Sequence, residues 1–538
     1  MALPFFTSSR LPADPAEDGT KRRLFSSTAL RQHARDEDGG VIWWSMFTIV
    51  GMLMATGLGI TLQFYEINRA NLQNTLDRAV LAATDLDQTI DAEDVIADYV
   101  KRAGLEGALT DASVENGINF RTSSAEAAVT MNTIFTPGID RWDVDAESRA
   151  IESITDVEIA LVLDNSGSMG WSNNYRLNLL KPAAKTFVDT VTRPIDGIQN
   201  GSVTVSIVPF STQVNAGPLL ADELSFSDQH TYSHCARFEE GDYGSTAISG
   251  STSLERAGHF DIFTWDEPVD TFGVVCPFDS SRHITPWARE ADVLKAQIDA
   301  MWAGGNTSMD VATKWGASLL DPAMAPVFNS LSDQTDSGII DPLGSQPFAY
   351  ERENTLKVLV VMSDGQNTDE FRLRDAYRSG KSPVFEDPTT GEQSYFDEDR
   401  SNNPYYSLTD STWRSSPDGG SDAVQVDWVD LLNDMSVARY ALDIKSEAMG
   451  GGWRSYYDEM YTRVPAWQKN NRTSAICAAA RNAGIIVYTI GMDTYGQGDA
   501  TLADCAGTTV NFFDVSAVQI DEAFSAIAQQ INQLRLTQ

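Results

Sequence analysis

The residues best suited to chemistry in this sequence are an aspartate and two serines that follow a short apolar run. Residues 159–163 are continuously apolar, and Asp164, Ser166 and Ser168 come directly after them in the stretch VEIALVLDNSGSMG. One carboxylate and two hydroxyls in a tight, glycine-containing turn are hard oxygen ligands, which suit Mg²⁺ and similar divalent cations. The stretch therefore predicts a buried strand that ends in a metal site.

Two further oxygen-bearing turns occur later in the chain. GGNTS contains Thr307, and the turn SDG, which contains Asp364, comes at the end of the apolar run TLKVLVVM. In an open parallel sheet, ligands bind outside the carboxyl ends of the strands, so we expect these turns to converge at one edge. The predicted site consists of Asp164, Ser166, Ser168, Thr307 and Asp364, with Mg²⁺, or Mn²⁺ or Ca²⁺, as the ion. The alternative is a set of ordinary turn residues and helix caps.

An alternation of strands and helices is predicted to position these turns. Beside the first apolar run, strands are predicted at 202–210, 355–362 and 485–491, and helices at 175–192, 291–302, 475–484 and 521–536. This order indicates an α/β fold with a mostly parallel, doubly wound sheet that is covered on both faces. The long polar stretches at about 215–290 and 366–470 exceed ordinary connections, and we interpret them as insertions with local structure of their own.

The N-terminal part of the chain is predicted to contain a membrane anchor. Residues 1–40 are charged and rich in Ser and Pro, which indicates a disordered tail. Residues 41–64 then contain no charge, and 24 helical residues at about 1.5 Å each can cross a hydrocarbon layer of roughly 30 Å. A cleaved signal peptide and a buried core helix are the alternatives, and the forty-residue preamble and the length of the run favour a retained span.

The basic residues indicate the orientation of this span. Residues 1–40 contain six of them, which favours a cytoplasmic N-terminus, although Arg69 and Arg78 follow the span closely. Beyond the span we predict stalk helices over 65–110, the second of them capped by Asp91. A small β-containing region over 111–155 follows, with strands at 117–120, 125–135 and 142–151. The α/β domain with its two insertions occupies 156–538.

The composition argues against several classes of function. The chain carries 76 acidic and 39 basic residues and a formal net charge of -37, which would repel the phosphates of a nucleic acid. No glycine-rich phosphate loop is evident, and Ser166 has no evident histidine partner that would activate it as a nucleophile. We therefore predict a protein that is not an enzyme.

The four cysteines allow three disulfide connectivities. The residues after the span are predicted to lie outside the cytoplasm, in an oxidising compartment where disulfides form, and we favour the pairs that are near in sequence, Cys235 with Cys276 and Cys477 with Cys505. Four free, buried thiols are the alternative.

Four of the five histidines fall in the first insertion, together with two of the cysteines. His230, His234, His259 and His283 make a zinc site conceivable, but the spacing of the first two lacks the glutamate of a zinc protease motif. We expect exposed loop histidines.

The predicted metal site resembles the metal-ion-dependent adhesion site, or MIDAS, of von Willebrand factor A domains, which have Rossmann-like sheets. In that family the two serines and, in one state, the threonine bind the metal directly, while the aspartates act largely through water. The resemblance implies these roles for Ser166, Ser168, Thr307, Asp164 and Asp364. It also implies an open coordination position for an acidic residue of a protein partner.

The wider sequence is similar to TadG-like, TadE-related proteins of tight-adherence (Flp) pilus assembly. The similarity includes DEDGG before the span, NRANLQNTLDRAVLAAT after it, and the ending CAAARNAGIIVYTIGMD, DCAGTTVNFFDVS and AFSAIAQQINQLRL. It implies a single-pass protein of the bacterial inner membrane, mostly periplasmic, which contacts other pilus-assembly components, in part through its span. The alternatives are a surface adhesin that binds a host or matrix ligand directly, and an accessory subunit of a metal-inserting enzyme.

Overall fold

The structure is a computed structural model. It describes residues 40–85, 90–116, 120–134, 138–153, 155–193, 202–262, 264, 274–334, 337–339, 346–494 and 496–537. Residues 1–39 of the predicted tail lie outside the described residues. The described chain divides into two compact units. The first comprises the described residues of 1–84, 88–114 and 123–150, and the second comprises the rest.

The first unit is built on one long helix. Helix α1 (Gly40–Thr84) has 45 residues, so the predicted span and the first predicted stalk helix form one unbroken helix. Among the described residues, α1 is the one helix long and apolar enough to cross a membrane. Large apolar side chains in its first half are exposed, as with Trp44, whereas Leu72 and Leu76 in its second half are buried. The first half of the helix therefore exposes its apolar side chains, whereas the second half packs its apolar side chains within the first unit.

A second helix and a small sheet complete this region. Helix α2 (Ala92–Arg102) begins after Asp91, whose side chain accepts a hydrogen bond from the backbone N–H of Glu93, as predicted. The strands pair in the order β1-β2-β3, with β1 at Leu109–Asn116, β2 at Phe120–Asn132 and β3 at Arg141–Ser153. Of the predicted strand at 117–120, residues 117–119 lie outside the described residues, and Phe120 is the first residue of β2. Strand β1 was missed because LTDASVEN has little apolar character.

The second unit contains the remaining strands and helices. Its strands are β4 Asp156–Asp164, β5 Val203–Phe210, β6 Ser225–Phe226, β7 Ala236–Arg237, β8 Ser253–Arg256, β9 Thr285–Ala288, β10 Thr355–Ser363, β11 Glu370–Leu373, β12 Lys381–Glu386, β13 Gln393–Phe396, β14 Tyr405–Ser407, β15 Thr412–Arg414, β16 Val424–Asp427, β17 Tyr461–Val464, β18 Ile486–Met492 and β19 Phe512–Val515. Its helices are α3 Trp171–Thr192, α4 Gly217–Ala221, α5 Ala291–Ala300, α6 Met309–Ser318, α7 Ala325–Ser332, α8 Trp428–Asp434, α9 Val437–Arg439, α10 Glu447–Met449, α11 Trp453–Met460, α12 Ala466–Asn482, α13 Gln497–Ala506 and α14 Ile520–Thr537, with a π-helical stretch between α9 and α10.

A six-stranded sheet organises this unit, in the order β19-β18-β10-β4-β5-β9. Its strands are parallel except for β9, which runs antiparallel to β5 at one edge. The mostly parallel α/β sheet predicted from the sequence is therefore confirmed. Helix α12 begins nine residues before the predicted start at 475.

Both faces of this sheet are buried, which explains the continuous apolar run before Asp164. Ile159 and Leu161 face a core formed with α3, α5 and α14, whereas Ala160 and Val162 face a second core formed with α6 and α12. A strand buried on both faces requires apolar residues at successive positions. The sheet also buries one ion pair, between Glu158 of β4 and Lys357 of β10.

The two insertions pack against each other around a third core, which we call the insertion core. Phe260, Ile262 and Val275 of the first insertion share this core with apolar residues of the second insertion from Leu373 to Met460. The second insertion contains a five-stranded sheet, and β11 pairs with β17 where its chain leaves and rejoins the α/β sheet.

Two disulfides are present, and they have the connectivity favoured from the sequence. One joins Cys235 to Cys276 within the first insertion. The other joins Cys477 of α12 to Cys505 of α13. The chain has four cysteines, so none of them is free.

Candidate metal centre

Two neighbouring strands end at the candidate site and bring its aspartates together. Strands β4 and β10 pair in register, with Met362 opposite Leu163, so that Asp164 and Ser363 follow at the same edge of the sheet. The hydroxyl of Ser363 donates a 2.6 Å hydrogen bond to Oδ2 of Asp164, and the backbone N–H of Ser166 donates a 2.7 Å bond to Oδ1. Asp164 is completely buried. Its carboxylate is therefore fixed by neutral donors on both oxygens.

The two serines connect this carboxylate to the second aspartate. The hydroxyls of Ser166 and Ser168 are 3.1 Å apart, and Ser168 donates a 2.7 Å hydrogen bond to Oδ1 of Asp364. Four of the five predicted ligands thus form one connected group, joined by side-chain hydrogen bonds and by the backbone N–H of Ser166.

The fifth residue, Thr307, lies on a loop that contacts the first. The backbone N–H of Gly167 donates to the carbonyl of Gly305 at 2.9 Å, and that of Gly304 donates to the carbonyl of Asn165 at 3.0 Å. Gly305 has a φ of +83°, and a Cβ there would lie 2.8 Å from Oγ1 of Thr212, so this position requires glycine. The structure therefore places Thr307 in the neighbouring loop and connects it to the group through its backbone.

A buried lysine, which the sequence did not point to, holds the Thr307 loop in place. Lys469 of α12 is fully buried, and its Nζ donates hydrogen bonds to the carbonyls of Thr307 and Thr368 at 2.8 and 2.9 Å. It also donates a 2.5 Å bond to the hydroxyl of Ser308. Helix α12 is thereby joined to the loops that follow α5 and β10.

Two arginines near the site were also missed. Arg176 donates a 2.8 Å hydrogen bond to Oδ2 of Asp364 and lies 3.4 Å from Asp493. Arg282 is buried and donates to the hydroxyl of Ser211 at 2.8 Å and to the carbonyl of Trp302 at 3.0 Å. The position of Arg176 in the first regular turn of the helix after Ser168 was a usable signal. No sequence signal was available for Arg282, which comes from the end of an insertion.

The electrostatics of the site fit a divalent cation. Burial, together with the nearby charge of Asp364, raises the pKa of Asp164 to about 7, and burial also raises the pKa of Asp364. Within the described part of the chain, Asp164 accepts hydrogen bonds from neutral groups alone. Two adjacent buried carboxylates beside serine hydroxyls form a hard oxygen donor set that a divalent ion would stabilise.

The histidines of the first insertion differ from the prediction. His230 and His259 are buried, not exposed, and their rings lie 5.8 Å apart. Nε2 of His230 lies 2.8 Å from the carbonyl of Ala257, and Nε2 of His259 lies 3.1 Å from Oδ1 of Asn433. Among the described residues no group of three or more His, Cys, Asp or Glu is arranged to hold a metal. These two histidines therefore act as packed, hydrogen-bonded core residues.

No protein-family model and no curated protein matches this chain. Solved structures that match include the vWF domain of the type V pili tip protein Mfa5 from Porphyromonas gingivalis, with 14% identity and a TM-score of 0.31 over 71% of this chain and 97% of that chain. The pilus adhesin SpaC from Lactobacillus rhamnosus GG matches with 11% identity and a TM-score of 0.28 over 78% of this chain and 34% of that chain. Proximal thread matrix protein 1 from the mussel byssus, with a zinc occupied MIDAS motif, matches with 11% identity and a TM-score of 0.25 over 70% and 47%. At such TM-scores only part of each fold superposes.

Proposed function

We propose that this chain is a membrane-tethered protein that binds an acidic residue of a protein partner through a divalent metal ion. The observation that carries the proposal is the group of two buried carboxylates and two serine hydroxyls at the ends of β4 and β10, with the Thr307 loop beside it. Such a donor set supports binding, and among the described residues Ser166 contacts Ser168 and no histidine that would make it a nucleophile.

The residues at this site would have three different roles. Ser166, Ser168 and Thr307 would hold the ion directly, and Asp164 and Asp364 would balance its charge. When bound, the ion supplies a Lewis-acidic position that accepts a carboxylate oxygen. Ser363, Arg176 and Lys469 position the aspartates and the threonine loop through the hydrogen bonds described above.

The tether and the biological setting complete the proposal. Helix α1 would cross the bacterial inner membrane once, with the N-terminus in the cytoplasm and the metal centre in the periplasm. The two disulfides are consistent with an oxidising compartment. The similarity of span, stalk and chain ending to TadG-like proteins supports a role in the assembly of tight-adherence (Flp) pili.

A chelator-controlled pull-down tests this function. The full chain, extracted in mild detergent, is used as bait for membrane proteins of its own cell, with Mg²⁺ or with EDTA. We expect specific partners that are present with Mg²⁺, absent with EDTA and absent for Ser168→Ala. Ser318→Ala is the matched control, because Ser318 is a buried serine of α6 that bonds its own helix at Trp315. If the same partners are recovered unchanged in EDTA, binding does not depend on the metal and the proposed function is wrong.

A further inference from the structure

The loop that follows Ser168 is anchored at both ends on one carboxylate. We call residues 169–175 the rim loop. Immediately before it, Ser168 donates to Oδ1 of Asp364 at 2.7 Å, and immediately after it, Arg176 donates to Oδ2 of the same side chain at 2.8 Å. The rim loop is therefore held beside the candidate metal centre by the aspartate that belongs to that centre.

The rim loop presents large aromatic side chains to solvent. Trp171 is 68% exposed and Tyr175 is 47% exposed, whereas Met169 is completely buried and anchors the loop underneath. Residues 172–174 are exposed as well. Tryptophan and tyrosine are the residues most enriched among those that carry the binding energy of protein interfaces. Their exposure next to a metal centre therefore indicates a contact surface.

The backbone of the rim loop is held in a conformation that costs energy. Ser172, Asn173 and Asn174 have φ values of 53°, 64° and 60°, so three successive residues other than glycine are left-handed. Left-handed residues occur singly in most proteins, and strained backbone clusters where binding or switching takes place. The strain separates Trp171 from the regular part of α3, which begins at Tyr175.

The rim loop contains no acidic residue that would repel an acidic partner. The chain has 76 acidic residues, yet none occurs between Asp164 and Asp189. Arg176, directly after the loop, keeps 21% of its side chain exposed and is paired with Asp364 and with Asp493, whose side chain is 26% exposed. A carboxylate that approaches the centre from this side would meet no acidic side chain of the loop, and Arg176 offsets part of the charge of the two aspartates beside it.

We propose that the rim loop is the surface that recognises the partner beside its metal-bound carboxylate. The partner chemistry that fits is a protein segment with an Asp or Glu next to an aromatic or aliphatic side chain, the carboxylate on the metal and the apolar group on Trp171 and Tyr175. This inference rests on the proposed function. Arg176 acts as a positioning residue, because it anchors the loop through Asp364.

An array of synthetic octapeptides tests the inference. The array contains a central Glu flanked by Phe or Leu, a central Glu flanked by Ser or Gly, and a central Gln flanked by Phe or Leu. The full chain in detergent is applied with Mn²⁺ or with EDTA, and Mn²⁺ binding is measured separately by electron paramagnetic resonance. We expect Mn²⁺-dependent binding to peptides of the first kind, at least tenfold weaker for Trp171→Ala, with Mn²⁺ affinity unchanged in that variant.

A matched control is Trp467→Ala, since Trp467 is 62% exposed on α12, outside the rim loop. Peptide binding by this variant should equal that of the wild type. If Trp171→Ala binds the peptides as well as the wild type while both bind Mn²⁺, or if Trp467→Ala loses as much binding, the assignment of the rim loop is wrong. Binding to a glycan array that depends on Trp171, without peptide binding, would also contradict it. If the wild type does not bind Mn²⁺, the proposed function itself fails.

Discussion

Asp164 and Asp364 are adjacent buried carboxylates that the fold brings together from positions 200 residues apart in the chain. Each is costly to bury alone, and each raises the cost of the other's charge, which is why the pKa of Asp164 rises to about 7. The hydroxyls of Ser363 and Ser168 lessen this cost by donating to them. A bound cation would remove most of the remaining cost of burying the two negative charges.

A different buried charge pair lends itself to a stability test. Glu158 and Lys357 are paired across β4 and β10, and Lys357 Nζ also donates to the carbonyl of Leu320 at 2.8 Å. Lys357→Met leaves Glu158 buried without its cation, so we expect a loss of about 3 to 5 kcal/mol in the free energy of unfolding. Urea denaturation measures it. The double variant Glu158→Leu/Lys357→Met should lose clearly less, and an equal or larger loss would show that the charge is not the cause.

The candidate metal ligands that follow the strands could be predicted from the sequence, whereas the residues that hold those ligands in place could not. Asp164 directly follows one apolar run and Asp364 follows another after a single serine, so the sheet edge that they share could be predicted from the local pattern. Lys469 contacts Thr307 from 162 positions away, and no local pattern encodes that contact. The burial of His259 could not be predicted from local pattern, because Asn433, which its Nε2 contacts, lies in the other insertion, 174 positions away.

At the scale of elements, α12 is the helix that joins the metal centre to the second insertion. The insertion leaves the sheet after the turn that contains Asp364 and returns directly before α12, and β11 and β17 pair at that junction. The backbone N–H of Met309 also donates to Oδ1 of Asn367 at 2.7 Å, beside the contacts of Lys469. The threonine loop is therefore supported by residues at both ends of the insertion.

This arrangement predicts the effect of replacing Lys469. Lys469→Met removes three hydrogen bonds to the loops, and we expect a loss of about 3 kcal/mol of stability and at least tenfold weaker Mn²⁺ binding. Hydrogen exchange should rise at 304–309. Lys314→Met is the matched control, since Lys314 is also buried but donates to the carbonyls of Ser245 and Ala247. Equal weakening of Mn²⁺ binding in both variants would show a general loss of stability and no special role for Lys469.

The packed histidines predict an acid-sensitive first insertion. Burial lowers the pKa of His230 and of His259 to about 4, from an ordinary value of 6.5. The unfolded chain therefore binds these protons first, and the stabilisation is present above pH 6.5 and is lost as the pH falls from 6.5 towards 4. Once the pH falls below 4, each histidine has lowered the free energy of unfolding by on the order of 3 kcal/mol.

Thermal unfolding as a function of pH measures this effect. The wild type should lose melting temperature between pH 6.5 and 4, and the variant His230→Gln/His259→Gln should lose less over the same range. Arg256 and His234, the charged groups near His230, are present in both proteins, so the comparison isolates the two replaced histidines. Parallel curves for the two proteins would assign the acid sensitivity to other groups.

At the scale of the whole molecule, the central prediction is that the unit carrying the metal centre lies outside the cytoplasm. Both disulfides leave the wild type without a free thiol, so Ser416→Cys in an exposed loop of the second insertion gives a specific label site. We expect an impermeant maleimide to label this residue after the outer membrane is permeabilised but not in intact cells. Labelling in intact cells would favour the surface adhesin. Protection until the inner membrane is lysed would contradict the predicted orientation.

The most direct test of the account is Mn²⁺ binding to the purified full chain at physiological salt, measured by electron paramagnetic resonance with Mg²⁺ competition. The 76 acidic residues will bind ions weakly over the surface, so the relevant signal is one tight equivalent per chain. We expect that equivalent in the wild type and in Ser318→Ala, and a loss of at least tenfold in affinity for Ser168→Ala and Thr307→Ala with the fold retained. No tight equivalent in the wild type, or equal affinity in all four proteins, would contradict it.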